Sequence, residues 1–133
     1  MKNPVFTVKF EKQMDISYDG LVNLFSMLYC CSYWGRIEYD RYDYKEAKEQ
    51  LQAEKHGDGI YFEDVIIKIL ENGNELIFVD IEDGSESYLT LNKLMQGISK
   101  HLSEANIEDF EDIDGDDADC IFQYALFDDV VYG

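Results

Sequence analysis

The chain has 133 residues and a mass of 15.5 kDa, with 11 Lys and Arg against 29 Asp and Glu, a formal net charge of −18 and a pI near 4.1. That balance excludes direct binding of nucleic acid, which needs a basic stripe to displace condensed counterions, and adhesion to an anionic membrane surface. Hydrophobic residues make up 46% and aromatics 14%, enough to fill a core, and the length predicts a single domain over residues 1–133.

No apolar run approaches the roughly 18 residues of a membrane span. The richest stretch, Leu21 to Tyr33, is broken by Asn23, Ser26 and Ser32. The opening Met1-Lys2-Asn3-Pro4 has no signal-peptide apolar region, so a cytoplasmic protein is expected. Cys30, Cys31 and Cys120 are odd in number, and two are adjacent, which argues for reduced, mostly buried thiols.

In chain order, Val5–Glu11 alternates apolar and polar residues and predicts a strand. From Asp19, a candidate cap, the three and four residue spacing of Leu21, Leu24, Phe25, Leu28 and Cys31 predicts a buried helix ending near Trp34-Gly35. Asp43 and Glu46 form a candidate capping box with Gly57 as the stop; only Ala47 and Leu51 look inward, so this helix is exposed or absent. The β-branched run of Phe62–Leu70 before Asn72-Gly73 fits a helix or a strand; acidic Glu63 and Asp64 in a first turn favour the helix. Glu75–Ile81 and Glu86–Leu91 flank Asp83-Gly84, a hairpin signal. Thr90 or Asn92 caps a helix carrying Leu94, Met95, Ile98 and Leu102.

Residues 101–133 hold 11 acids and no Lys or Arg, so this quarter of the chain carries −11 and the first hundred residues −7. Nine of those acids lie between Glu104 and Asp119, read as a loop anchored by Ile107, Phe110 and Ile113. A last helix, Ala118–Phe127, points Cys120, Ile121, Tyr124, Ala125 and Phe127 inward, before a short Val130-Val131-Tyr132 ending. The expected fold is α+β: one compact domain with helices packed on a small, mainly antiparallel sheet of Val5–Glu11, Glu75–Ile81 and Glu86–Leu91.

Most site chemistries fail on spacing. With Gly115 in the sixth place of a calcium loop, Phe110 and Ile121 fall where an acid and a bidentate Glu are needed. The only histidines, His56 and His101, form no zinc-ligand pair, and the surrounding acids raise a thiol pKa rather than lower it. Neither Gly-rich phosphate loop occurs. With 29 acids some carboxylate pair is inevitable, so such a pair carries no information. No metal, no cofactor and no enzymatic activity are expected.

The charge itself remains. Spread evenly, it amounts to roughly one net charge per 400 Å², against one per roughly 100 Å² on duplex DNA. Were the 11 acids of residues 101–133 to share a face of about 1,000 Å², the local density would approach that of DNA. A solvated loop that serves only solubility accounts for the same composition.

The run Ala118-Asp119-Cys120-Ile121-Phe122-Gln123-Tyr124-Ala125-Leu126-Phe127, closing in Val130-Val131-Tyr132-Gly133, resembles the ending of a family of small acidic proteins from phages and prophages of Gram-positive bacteria. Tyr33-Trp34, Glu63-Asp64-Val65-Ile66 and Leu89-Thr90-Leu91-x-Lys93-Leu94-x-x-Gly97-Ile98 match the same family pattern, which covers much of the chain from Tyr33 onward. Asp128-Asp129 departs from it, standing where the pattern has Gly-Glu.

A phage origin implies, by analogy with acidic DNA-mimicking inhibitors, a stoichiometric inhibitor of a host defence nuclease of the restriction or CRISPR type, acting in the host cytoplasm. The expected partner is a basic nucleic-acid-binding protein of the host, with no direct nucleic acid and no membrane; a homodimer is compatible with the sequence. The carboxylates assigned to that contact are Glu104, Glu108, Asp109, Glu111, Asp112, Asp114, Asp116, Asp117 and Asp119, with Asp128 and Asp129 beside them. Tyr39, Tyr42 and Tyr44 are a second contact strip, or else pack beneath a loop. The alternatives are a phage structural or assembly component and an immunity protein against a basic nuclease toxin.

Overall fold

The computed structural model describes residues 14–55 and 59–133. The expected strand Val5–Glu11 and the Gly57 stop lie outside the described residues. The remainder is α+β: α1 (Tyr18–Ser26), a 3₁₀ turn (Leu28–Cys31), β1 (Gly35–Tyr39), α2 (Arg41–Lys55), α3 (Phe62–Glu71), β2 (Leu76–Asp80), β3 (Glu86–Leu89), α4 (Leu91–Glu104), a second 3₁₀ turn (Phe110–Asp112) and α5 (Gly115–Phe127).

Local chemistry sets the helix ends. Ser17, not Asp19, caps α1, its hydroxyl accepting the Gly20 N–H at 3.0 Å, and the helix ends at Ser26 rather than near Trp34. Asp40 caps α2 ahead of the expected Asp43, taking the N–H groups of Tyr42 and Asp43 at 2.8 and 3.0 Å. As the sparse apolar spacing implies, α2 is mostly exposed: Ala47 and Leu51 are its buried residues, with Asp43, Tyr44 and Gln50 half-buried.

The ambiguous Phe62–Leu70 run is helical because both ends are capped. The Asp64 carboxylate accepts the Tyr61 N–H at 2.9 Å. At the other end Gly73, at φ +86°, lets its own N–H and that of Asn74 reach back to the Leu70 and Ile69 carbonyls. That is the left-handed turn glycine accepts without a Cβ clash. Val65, Ile66, Ile67, Ile69 and Leu70 are all buried, each worth roughly 1.5–3 kcal/mol on removal from water, which overrides their modest helix propensity.

The sheet order is β1-β2-β3, antiparallel throughout, with Ile37 opposite Phe78 and Phe78 opposite Ser87. Strand β1 was not expected from the sequence; it follows directly where the first helix was expected to end. The β2–β3 link is a five-residue turn organised by Asp80, whose carboxylate accepts the Glu82 and Asp83 N–H groups at 2.7 and 3.1 Å.

One hydrophobic cluster joins all of these elements, with Leu24, Phe25, Trp34, Phe78 and Phe122 among its members. Helices α4 and α5 meet at Gly97, where a Cβ would stand 2.7 Å from the Ala125 nitrogen and the Ile121 carbonyl oxygen. No helix among the described residues is long and apolar enough to cross a membrane.

Candidate functional site: acidic surface and aromatic clasp

The acidic segment is less of a loop than its composition suggests. Phe110 and Ile113 are buried and Ile107 is half-buried, so the expected anchors pin it to the core. Glu104 is the last residue of α4, Glu111 and Asp112 lie in the second 3₁₀ turn, and α5 starts at Gly115, three residues ahead of the expected Ala118. Asp114 and Asp117 explain the early start. Each carboxylate accepts the other's N–H at 2.9 Å, a reciprocal cap that satisfies two donors of the first helical turn.

Several assigned carboxylates therefore serve the fold. Asp109 caps the 3₁₀ turn through the Glu111 N–H at 3.0 Å. Asp117 Oδ1 also meets Nε2 of the buried His101 at 2.7 Å. Burial alone would raise the Asp117 pKa, yet hydrogen bonds from the Asp114 backbone and from His101 hold it below the ordinary range. Asp128 adopts φ 58°, the left-handed position at the end of α5, where its carbonyl and Oδ1 take Lys100 Nζ at 2.6 and 3.3 Å. Asp129 Oδ1 accepts the N–H of Val130 at 2.8 Å.

Asp119 is the most heavily used. Its Oδ1 accepts Trp34 Nε1 at 2.7 Å and Gln123 Nε2 at 3.0 Å, and its Oδ2 accepts the Tyr33 hydroxyl at 2.5 Å. Gln123, fully buried, passes the network to the tail: its Oε1 takes the N–H groups of Val131 and Tyr132, both at 2.8 Å. Tyr132 stacks flat on Trp34 at 5.1 Å and donates its hydroxyl to Asp80 Oδ2 at 2.6 Å. The hydrogen bond to Asp80, then burial, pushes Tyr132 up to about 12; burial, then the bond to Asp119, pushes Tyr33 to about 12. These contacts clasp the C-terminal tail onto the 3₁₀ turn, β1 and the β2–β3 turn. The sequence named Asp119 as a contact acid and gave no signal for Gln123.

Nine of the eleven assigned acids are exposed, Asp117 and Asp119 being half-buried; of the nine, Glu104, Glu108, Glu111, Asp112 and Asp116 make no side-chain bond among the described residues. Glu108 and Glu111 line a depression of about 130 Å³ with Asp15 and Phe110. Asp116 lines a separate cleft of about 610 Å³ with Tyr29, Tyr33, Asp119, Val130 and Tyr132. Asp128 closes the far end of α5, about 18 Å along the helix axis from Asp116, and Asp129 follows it, just before Val130 of the cleft.

The tyrosine strip divides. Tyr39, itself exposed, stacks on Tyr44 at 4.6 Å, and both lie near Phe62 at the start of α3. Tyr42 alone is 72% exposed, with the Arg41 guanidinium 5.5 Å from its ring centre.

The cysteines are free; Cys31 is buried, whereas Cys30 and Cys120 are only half-buried. Burial, then Asp119, pushes the Cys31 thiol up; burial, then Asp119, Asp117, Asp116 and Asp114, does the same for Cys120. Among the described residues no group of three or more His, Cys, Asp or Glu is arranged to hold a metal ion. No family model matches the chain, and no curated protein or solved structure matches it.

Proposed function

We propose that this protein is a phage-encoded, stoichiometric inhibitor that occupies the nucleic-acid-binding surface of a basic host defence nuclease. The observation that carries the reading is the exposure of Glu108, Glu111, Asp112 and Asp116 on a capped and anchored segment in a stretch with no Lys or Arg. Carboxylates on a pre-ordered backbone present charge to Lys and Arg without the ordering cost a disordered acidic tail incurs on binding. The acids in the caps add to the same attracting field, which raises the association rate.

The test uses the tagged full chain on lysate of a Gram-positive host at about 50 and 200 mM salt, beside the triple variant Glu108→Lys, Glu111→Lys, Asp112→Lys. These three side chains are exposed and make none of the cap bonds, so the variant should keep the fold, which its circular dichroism checks. A nuclease captured only at low salt, lost with the variant, and inhibited at one equivalent in competition with duplex DNA bears the reading out. Salt-resistant self-association, or binding to phage subunits, would replace it with an assembly component. Neutralisation of a phage- or plasmid-encoded toxin nuclease alone would make the chain an immunity protein.

A further inference from the structure

We infer that the cleft between the first 3₁₀ turn, the start of α5 and the C-terminal tail is a receptor for an arginine side chain of the basic partner. The inference rests on the inhibitor reading and names the element of the partner that this part of the surface takes.

Tyr29 is 72% exposed and Tyr33 51%, although both are large aromatics that burial would favour. Their rings, Val130 and Tyr132 line the cleft together with the carboxylates of Asp116 and Asp119. Its volume, about 610 Å³, lies within the range of small-molecule sites and holds a side chain with part of its backbone. No cation lines it, and the nearest stretch of sequence, residues 101–133, contains none.

The chemistry selects the occupant. An aromatic wall attracts a cation to its ring faces, and a carboxylate at the rim accepts its N–H groups. Asp119, which already takes Tyr33, Trp34 and Gln123, lines the cleft beside Asp116, which is exposed and makes no side-chain bond among the described residues. A guanidinium satisfies both surfaces at once, because it is flat, weakly hydrated and forked. A lysine ammonium is compact and strongly hydrated, so it gives up more on leaving water for a mostly carbon-lined cleft. The clasp through Gln123 and Tyr132 holds the far wall in place before anything binds, which lowers the ordering cost.

The experiment titrates the intact protein with tetra-arginine and tetra-lysine peptides of equal charge by calorimetry, and maps amide and ring shifts by NMR. Tetra-arginine should bind at least about 5-fold more tightly, with the largest shifts at Tyr29, Tyr33 and Asp116. Tyr29→Ala and Asp116→Asn should each weaken it about 3–10-fold, while the exposed-acid control Glu49→Gln changes it less than 2-fold. Equal affinity for the two peptides, or an equal loss with Glu49→Gln, would overturn the inference in favour of diffuse charge attraction.

The two readings separate cleanly. If the nuclease is captured by the wild type and lost with the Glu108, Glu111 and Asp112 variant but bound undiminished by Tyr29→Ala, the cleft fails and the inhibitor stands. Arginine-selective binding that follows Tyr29 and Asp116, with no nuclease captured, keeps the cleft and removes the inhibitor.

Discussion

Replacing Asp119 with Ala should cost about 2–4 kcal/mol of folding stability, because the carboxylate is a structural hub. The change removes three hydrogen bonds, from Trp34 at 2.7 Å, Gln123 at 3.0 Å and Tyr33 at 2.5 Å. Trp34 is only 3% exposed, so its indole N–H has no access to water, and an orphaned buried donor costs about 1–3 kcal/mol. Tyr33 is half exposed and turns to solvent at little cost; Gln123 keeps the Tyr132 carbonyl at 3.2 Å. The loss of charge-assisted bonds supplies the rest of the range. Trp34 is the sole tryptophan and lies within the network, so its fluorescence in a urea titration reports the perturbed site itself. With a slope of about 1.5–2 kcal/mol per molar urea, the midpoint should fall by about 1–2.5 M. Asp119→Asn, which keeps an acceptor for Trp34, should cost about 1 kcal/mol, and exposed Asp116→Ala less than about 0.5 kcal/mol. A midpoint for Asp119→Ala within experimental error of that for Asp116→Ala would refute the hub.

Gly97→Ala should destabilise by about 2 kcal/mol or more, read as a fall in melting temperature, since the new methyl meets the Ala125 nitrogen and the Ile121 oxygen at 2.7 Å and backbone cannot step aside cheaply. The gain in helix propensity, about 1 kcal/mol, does not offset this, and a neutral result would mean that α4 and α5 are not in close contact. Asp128→Gly should be neutral or stabilising by up to about 1 kcal/mol in chemical denaturation: it relieves a left-handed φ and keeps the carbonyl bond to Lys100, losing only an exposed ion pair; a clear loss would contradict that geometry. Asp117 has a depressed pKa, so its contribution is present above the unfolded value near 3.9 and disappears as pH falls through the lower folded value. Asp117→Asn should therefore flatten the acid side of the stability–pH curve, and an unchanged curve would argue against the His101 pairing. Tyr132, raised to about 12, behaves oppositely: its contribution is complete below about 10 and is lost between 10 and 12, and Tyr132→Phe should remove that alkaline step from the Trp34 fluorescence profile.

The sequence carried the fold wherever a period or a cap was long enough to read. Helix α4 announced itself through Thr90 and the spacing of Leu94 and Ile98, and Thr90 Oγ1 does take the Lys93 N–H at 3.2 Å. Strand β1 was hidden because, of the alternating Gly35, Ile37 and Tyr39, only Gly35 is buried and Ile37 half-buried, with Arg36 and Glu38 between them. Three alternating positions among charged tyrosine-rich neighbours do not distinguish a strand from a surface strip. The start of α5 was legible in the Asp114-x-x-Asp117 spacing, but within nine acids a capping pair looks like more of the same charge. For the same reason the sequence could not separate Asp119 from Asp116; only the approach of Trp34, 85 residues away along the chain, makes one a hub and leaves the other free.

Tyr33 and Trp34, Asp119 and Gln123, and Tyr132, which form the clasp, are among the residues on which the proposed phage-family likeness rests. A motif of this kind follows from packing, since a buried Gln123 without the tail's N–H groups, or a Trp34 without its carboxylate, would leave polar atoms unpaired. Such a signature speaks to fold rather than to partner. Any partner specificity must then come from side chains the fold does not consume, which are the exposed carboxylates outside the caps and the exposed Tyr29 and Tyr42, with the open ring of Tyr33 beside them. The structural acids belong to the same field: all 11 of the C-terminal segment add to a negative potential of the kind that would draw in the proposed basic partner, although the His101 pairing draws Asp117 inward. Attraction and recognition are thus assigned to overlapping but different residues. Neutralising a cap acid should change association rate and stability together, whereas changing Tyr29 or Asp116 should change the lifetime of the complex and leave the fold intact.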